Sequence, residues 1–173
     1  VSAAAAVRSR RFAWADPLAS AAAGEALSGL EFLAAIRDGR LPPPPVAAML
    51  GMEIVEVETG RAVFALEPAE WMYNPIGSVH GGVVATILDS CMGCAVHSTM
   101  EAGAGYATSD LQVRYLRPIG VESGRVLGEG RVVHAGGRVA TAEGLLRAQD
   151  DGSLLAHATT ACQLLRPGRP PRG

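Results

Sequence analysis

The chain has 173 residues, enough for one domain with a substantial core, and a formal charge of -2 that gives no electrostatic footing for nucleic acid or an anionic membrane. All 15 basic residues are Arg, and the absence of Lys excludes internal Schiff-base chemistry, pyridoxal phosphate anchoring and a Walker-type phosphate loop. Hydrophobic residues make up 49% and aromatics only 5%, so the core must be built from Ala, Val and Leu.

Residues 1–23 are Ala-rich with scattered Arg and read as a loosely ordered arm. Within it, Arg8-Ser9-Arg10-Arg11 is followed by Trp14, Asp16 and Pro17 rather than by an apolar run of signal length. Ser28-Gly29-Leu30-Glu31 has the form of a capping box and opens a short helix with Leu30, Leu33 and Ile36 at helical spacing. Gly39 is its expected stop, and the run Leu41–Pro45 predicts an extended linker. The expected organisation is an arm, short helix and proline-rich linker over residues 1–48, one folded domain over 49–165 and a disordered tail over 166–173.

Glu53–Glu58 and Arg61–Glu67 read as two strands turning at Thr59-Gly60, with Ala62, Phe64 and Leu66 alternating. A loop, Asn74–Gly82, then runs into a long, nearly all-apolar helix expected over 82–99. After Gly103-Ala104-Gly105 the chain is strand-like over 106–117, 124–134, 138–149 and 153–165. His134–Arg138 and Asp150–Ser153 supply hairpin turns. Two strands, one helix and a four-strand meander predict an α+β domain in which one antiparallel sheet wraps one helix.

The chemistry gathers at Asn74–His97. A helix start offers backbone N–H donors to developing negative charge, and Gly81-Gly82 removes the Cβ atoms that would keep a substrate away. Asp89 lies two turns inside the helix, too deep to cap it, where a carboxylate among apolar neighbours is expected to be buried and raised in pKa. Oxyanion donors and a general base are the minimum equipment for acyl transfer. Asn74, before Pro75, is equally a turn residue; His80 suits a structural, hydrogen-bonding role better than proton transfer. Cys91-x-x-Cys94 lies mid-helix without a second ligand pair, and His97 and His134 are isolated. No metal or cofactor is therefore expected. The cysteines fit a small-hydrophobe role in a reducing cytoplasm. Nothing approaches the roughly 18 continuous apolar residues of a membrane span.

Residues 49–165 resemble a hotdog-fold acyl-CoA thioesterase of the phenylacetic-acid-degradation type. The motif that carries the likeness is Asn-x-x-Gly-x-x-His-Gly-Gly, six residues, then Asp, and it is met by Asn74, Gly77, His80, Gly81, Gly82 and Asp89. The resemblance implies that the N–H of Gly81 or Gly82 polarises a thioester carbonyl and that Asp89 is base or nucleophile. Asn74 would position water or the carbonyl, and His80 would order the loop. It also implies a homodimer whose sites combine a glycine of one chain with the Asp of the other, in some relatives a dimer of dimers. Thr108 stands where relatives carry a Ser or Thr that assists the carboxylate. Strand alternation puts Thr108 on the face opposite Leu111 and Val113, so it reaches the site only across a dimer or through a bulge, with Ser109 as the substitute. Arg138, ahead of Arg117, Arg114 and Arg131, is the preferred CoA phosphate contact. Met72, Tyr73, Ile87 and Met92 are expected to line the acyl pocket. Two other readings remain open from the residues alone: a hotdog enoyl-CoA hydratase or dehydratase using His80 with Asp89, and a non-catalytic acyl-CoA-binding protein.

Overall fold

The computed structural model describes residues 7–165. The first and last residues of the chain, including the expected tail at 166–173, lie outside them. Six strands, β1 (Glu53–Glu58), β2 (Arg61–Leu66), β3 (Gly105–Tyr115), β4 (Val126–Ala135), β5 (Val139–Ala148) and β6 (Leu154–Leu165), form one antiparallel sheet in the order β1-β2-β4-β5-β6-β3. Three short helices precede the sheet: α1 (Pro17–Gly24), α2 (Gly29–Arg37) and α3 (Pro45–Leu50). The long helix α4 (Gly81–His97) follows β2 and is wrapped by the sheet.

This is the α+β layout expected, with one correction. The last four strands are not a simple meander. β4 returns to pair with β2, while β3 is carried to the far side, against β6, where it forms a sheet edge. Among these four strands, hairpin-length turns join only β4 to β5 and β5 to β6. The longer connection at 116–125 lets β3 leave its sequence neighbour, a choice that local periodicity does not record.

Glycines on the strands let the helix sit close. A Cβ on Gly130 would stand 2.3 Å from the carbonyl oxygen of Cys91, and one on Gly144 would stand 2.9 Å from the Met92 side chain. With Ile87, Leu88, Cys91, Met92, Ala95 and Val96 essentially without solvent access, the sheet-facing side of α4 is the centre of the core. The opposite stripe, which includes Thr86, Asp89, Ser90, Cys94 and His97, is only half-covered.

The arm departs from the expectation of loose order. Asp16 caps α1 through Leu18 N–H at 2.9 Å, with Pro17 at the first helical position. The capping box of α2 is present: the Ser28 hydroxyl accepts from Glu31 N–H, and Glu31 accepts from Ser28 N–H. Gly39, at φ 72°, follows the helix in the left-handed conformation that glycine favours. The proline run is shorter as a linker than read, because Pro45 already starts α3, which ends on Gly51 at φ 73°. Helix α2 lies on β1 and on the end of α4, where Gly29 meets the carbonyl of His97 so closely that a Cβ would stand 1.8 Å from its oxygen. Further out, the Arg10 guanidinium stacks 3.8 Å over the Trp71 ring, and Arg8 pairs with Glu70 at 2.9 Å.

Candidate active site

The loop before α4 is shaped by its own polar groups. Asn74 Oδ1 accepts from Ile76 N–H at 3.0 Å and Ser78 N–H at 3.3 Å, while its amide donates to the Ser78 hydroxyl at 3.0 Å. Gly77, at φ 87°, closes the turn. Asn74 is thus committed to building the loop that delivers His80.

His80 is the N-cap of α4. Its imidazole Nδ1 accepts from Gly82 N–H at 2.9 Å, an arrangement that needs an unprotonated Nδ1. The ring lies against Gly82 so closely that a Cβ there would stand 3.0 Å from Nδ1. The two glycines therefore differ. Gly82 N–H is taken by the cap, whereas Gly81 N–H finds no acceptor among the described residues. The orphan donor of the first turn is Gly81.

Tyr115, at the end of β3, was not singled out from the sequence. Its hydroxyl donates to the Gly81 carbonyl at 3.1 Å, and its ring lies over the Gly81 Cα. Beside them is a cavity of about 330 Å³, lined by Asn74, Gly81, Val84, Tyr115, Arg117 and Leu155 among others. Arg117 thus shares a cavity with the free donor. Arg138, the preferred arginine, does not: it is exposed in the β4–β5 turn, toward the sheet end where α4 finishes. The expected acyl-pocket residues also belong elsewhere. Met72, Ile87 and Met92 are core residues, and the Tyr73 hydroxyl accepts from Val121 N–H at 2.8 Å. On a helix apolar around most of its circumference, the apolar positions by themselves do not distinguish the sheet-facing side from the open one.

Asp89 lies on the half-covered stripe of α4, not enclosed as expected. The Thr108 hydroxyl donates to its Oδ1 at 2.9 Å within the same chain. A bulge makes this possible: Thr108 pairs with Cys162 and Asp110 with Ala161, leaving Ser109 as the extra residue. The bulge turns Thr108 onto the helix-facing side with Leu111 and Val113. Ser109 is excluded as the substitute, because its own hydroxyl donates to the Ala161 carbonyl at 3.0 Å.

The cysteines bring no nucleophile to this stripe. Burial pushes the Cys94 thiol up to about 12 and that of Cys91 higher still. Among the described residues, no group of three or more His, Cys, Asp or Glu side chains gathers to hold a metal ion, and no helix is long and apolar enough to cross a membrane.

One sheet wrapped on one long helix is the hotdog fold, here with an unused N–H at the helix start and a carboxylate on the open side of the helix. Residues 76–155 match the profile of the thioesterase superfamily, and that match, together with a solved relative 32% identical and covered over 98% of its length, places the chain in that family. Among solved structures, it is similar to a phenylacetic acid degradation-related protein of Ralstonia eutropha JMP134 at 32% identity and a TM-score of 0.68, covering 76% of this chain and 98% of that one. A thioesterase family protein from Silicibacter pomeroyi gives 29% identity and a TM-score of 0.68, over 77% of this chain and 98% of its own. Of curated relatives, a Halobacterium salinarum protein assigned provisionally as an esterase is 42% identical over 101 residues, covering 56% of this chain and 65% of the relative. A 1,4-dihydroxy-2-naphthoyl-CoA hydrolase of Listeria monocytogenes is 36% identical over 52 residues, or 30% of this chain and 42% of that enzyme. The chain thus spans less than two thirds of the length of either curated relative.

Proposed function

We propose that this protein hydrolyses an acyl-CoA thioester to the free carboxylic acid and CoA, in sites shared between two copies of the chain. The observation that carries the reading is the Asp89 carboxylate held by the Thr108 hydroxyl at 2.9 Å, on the same helix whose first turn leaves Gly81 N–H free. These are the base and the oxyanion donor that acyl transfer requires.

Their separation argues for the second copy. Eight residues lie from Gly81 to Asp89, about 12 Å along the axis at the α-helical rise. A reacting carbonyl has to sit within about 3 Å of both kinds of group. One chain therefore cannot supply both to the same substrate, whereas a neighbouring copy bringing its own helix start to Asp89 can. The free edge of β3, 11 residues long, is a ready template for such pairing.

In this mechanism Asp89 removes a proton from water as the water oxygen bonds to the thioester carbon. The carbonyl electrons move onto oxygen, which takes the hydrogen bond from Gly81 N–H of the other copy. Collapse of this intermediate breaks the carbon–sulfur bond, and the proton held by Asp89 passes to the departing CoA sulfur. Thr108 keeps the carboxylate aimed, and Arg117, sharing the cavity with Gly81, offers its guanidinium to a CoA phosphate. His80 serves as helix cap, since its Nδ1 is committed to Gly82 N–H. That role favours hydrolysis over a hydratase in which the ring moves protons.

The test is release of free thiol from a panel of acyl-CoAs by the wild-type chain and by Asp89→Asn. Turnover should fall by about 10²–10⁴-fold in the variant, with its circular dichroism and oligomeric state retained. A folded Asp89→Asn protein with full activity would remove the carboxylate from the mechanism.

A further inference from the structure

A second cavity, of about 520 Å³, lies at the other end of α4, beneath the N-terminal helices. Its volume falls within the range of small-molecule sites. Its roof is Pro17, Ser20 and Ala21 of α1 with Ile36 of α2; Pro42–Pro44 close one side; Ile54 and Phe64 of the sheet close another. The floor is Cys94 and His97 of α4, with Tyr106 of β3. The roof and the proline side come from the segment that precedes the family match at residue 76.

Two features relate this cavity to Asp89. Cys94 and His97 lie on the same half-covered stripe of α4, five and eight residues beyond Asp89, or about 7 and 12 Å along the axis. Tyr106 lies two residues before Thr108 on the helix-facing side of β3, and its ring crosses the open side of α4 at Gly93, where a Cβ would stand 2.4 Å from the hydroxyl. Tyr106 therefore stands between the Asp89–Thr108 pair and the cavity, on the one helix stripe that they share.

The lining also decides the kind of occupant. Burial holds His97 below its ordinary value and Cys94 above its own, which leaves both floor groups neutral. The charged side chains at the cavity are already paired, Arg37 with Asp38 and Glu53 with Arg125. A mostly apolar enclosure whose charges are already paired suits a hydrocarbon chain better than a charged or sugar-like group.

We propose that this cavity receives the acyl tail of the substrate, an aliphatic chain of medium length, and that the N-terminal arm sets how long a tail is accepted. The proposal rests on the hydrolase reading above and names its substrate class. A tail running from a carbonyl at Asp89 to the level of His97 covers about 12 Å. This reach leaves a two-carbon acyl group short of the cavity and a sixteen-carbon group too long for it.

The experiment compares kcat/KM for acetyl-, octanoyl- and palmitoyl-CoA in the full chain and in Ala21→Trp and Ile36→Trp, which fill the cavity from its roof. Octanoyl-CoA should be the preferred substrate, and each variant should lower the octanoyl-to-acetyl ratio at least tenfold. A wild-type preference for acetyl- or palmitoyl-CoA overturns the assignment, as does a ratio left at its wild-type value in both folded variants. Should no acyl-CoA release thiol, the hydrolase reading fails by itself. Calorimetric Kd values for octanoyl- and acetyl-CoA in the same three proteins then decide the cavity: a tenfold loss of discrimination in the variants supports it, and equal discrimination overturns it.

Discussion

The two ends of α4 present opposite solutions to a helix terminus. At the N-terminal end the backbone itself is the functional group: glycines replace side chains, His80 satisfies one donor and Gly81 N–H is left without a partner. At the C-terminal end every advantage goes to coverage. Ser98, nearly without solvent access, donates to the Ala95 carbonyl and accepts from Gly60 N–H, and α2 lies across the last turn. One terminus is kept chemically open and the other is closed by packing, and the carboxylate lies between them. A helix designed only for stability would close both.

The sharpest way to break this contrast is to remove the open donor without altering the fold. Gly81→Pro does so, because proline is well tolerated at the first helical position; it removes the N–H and adds a ring whose Cβ would stand 3.3 Å from the Tyr115 ring. His80, at φ -60° and ψ 135°, already has the extended backbone that a following proline demands. Thioester hydrolysis should drop by about 10²–10³-fold. In a two-chain site, mixing Gly81→Pro with Asp89→Asn protein should restore part of the lost rate, since a mixed pair keeps one site with both intact groups. A mixture no more active than either variant alone would place both groups of a site in a single chain.

Thr108→Val comes next. It keeps the branched shape at the bulge and deletes the hydroxyl that Asp89 accepts from. A hydrogen bond to a charged group is worth about 1.5–3 kcal/mol, so a loss of roughly ten- to hundredfold in kcat is expected with KM little changed. Ser109→Ala, which removes a bond to the Ala161 carbonyl instead, should leave kcat at its wild-type value and separate the two adjacent hydroxyls.

How much of this could be read from the chain follows from how local each feature is. The motif from Asn74 to Asp89 lies within one loop and one helix, so its spacing encodes its geometry, and β1 and β2 announce themselves by alternation and a glycine turn. Thr108 was legible only as a conflict: alternation turned it away from the helix, and the bulge at Ser109 resolves that conflict. The placing of β3 beside β6, the choice of Arg117 over Arg138 near Gly81 and the removal of Met72, Ile87 and Met92 to the core all depend on tertiary position. One signal was present and unused. The polar residues of an otherwise apolar helix, Thr86, Asp89, Ser90 and His97, mark the stripe that the sheet leaves uncovered. Likewise, Pro45 and Gly51 bracket α3 as first-turn proline and left-handed stop.

A smaller effect is expected from His80→Ala. The substitution removes the acceptor for Gly82 N–H and should lower stability by about 1 kcal/mol, within the usual range for an N-cap. For a chain of this size that corresponds to a fall in Tm of about 2–4 °C. Activity should decline as well, since the first turn that presents Gly81 loses its anchor. His80→Asn, which returns a capping oxygen, should recover most of the Tm. If the ring instead carried protons during turnover, the Asn variant would regain stability and remain inactive.

The closed terminus gives the mildest response, and it is one of pH. His97 is packed between the rings of Phe32 on α2 and Tyr106 on β3, each 5.8 Å away centroid to centroid, and burial lowers its pKa from the ordinary 6.5. Because the unfolded chain takes up a proton more readily than the folded one, the contribution of neutral His97 is complete above pH 6.5. It is lost progressively as the pH falls below that point and through the lower folded value. Thermal unfolding followed between pH 7.5 and 5 should show a decline that His97→Gln reduces, the amide being neutral throughout. A His97→Gln protein with the wild-type slope would show that acid acts elsewhere in the fold.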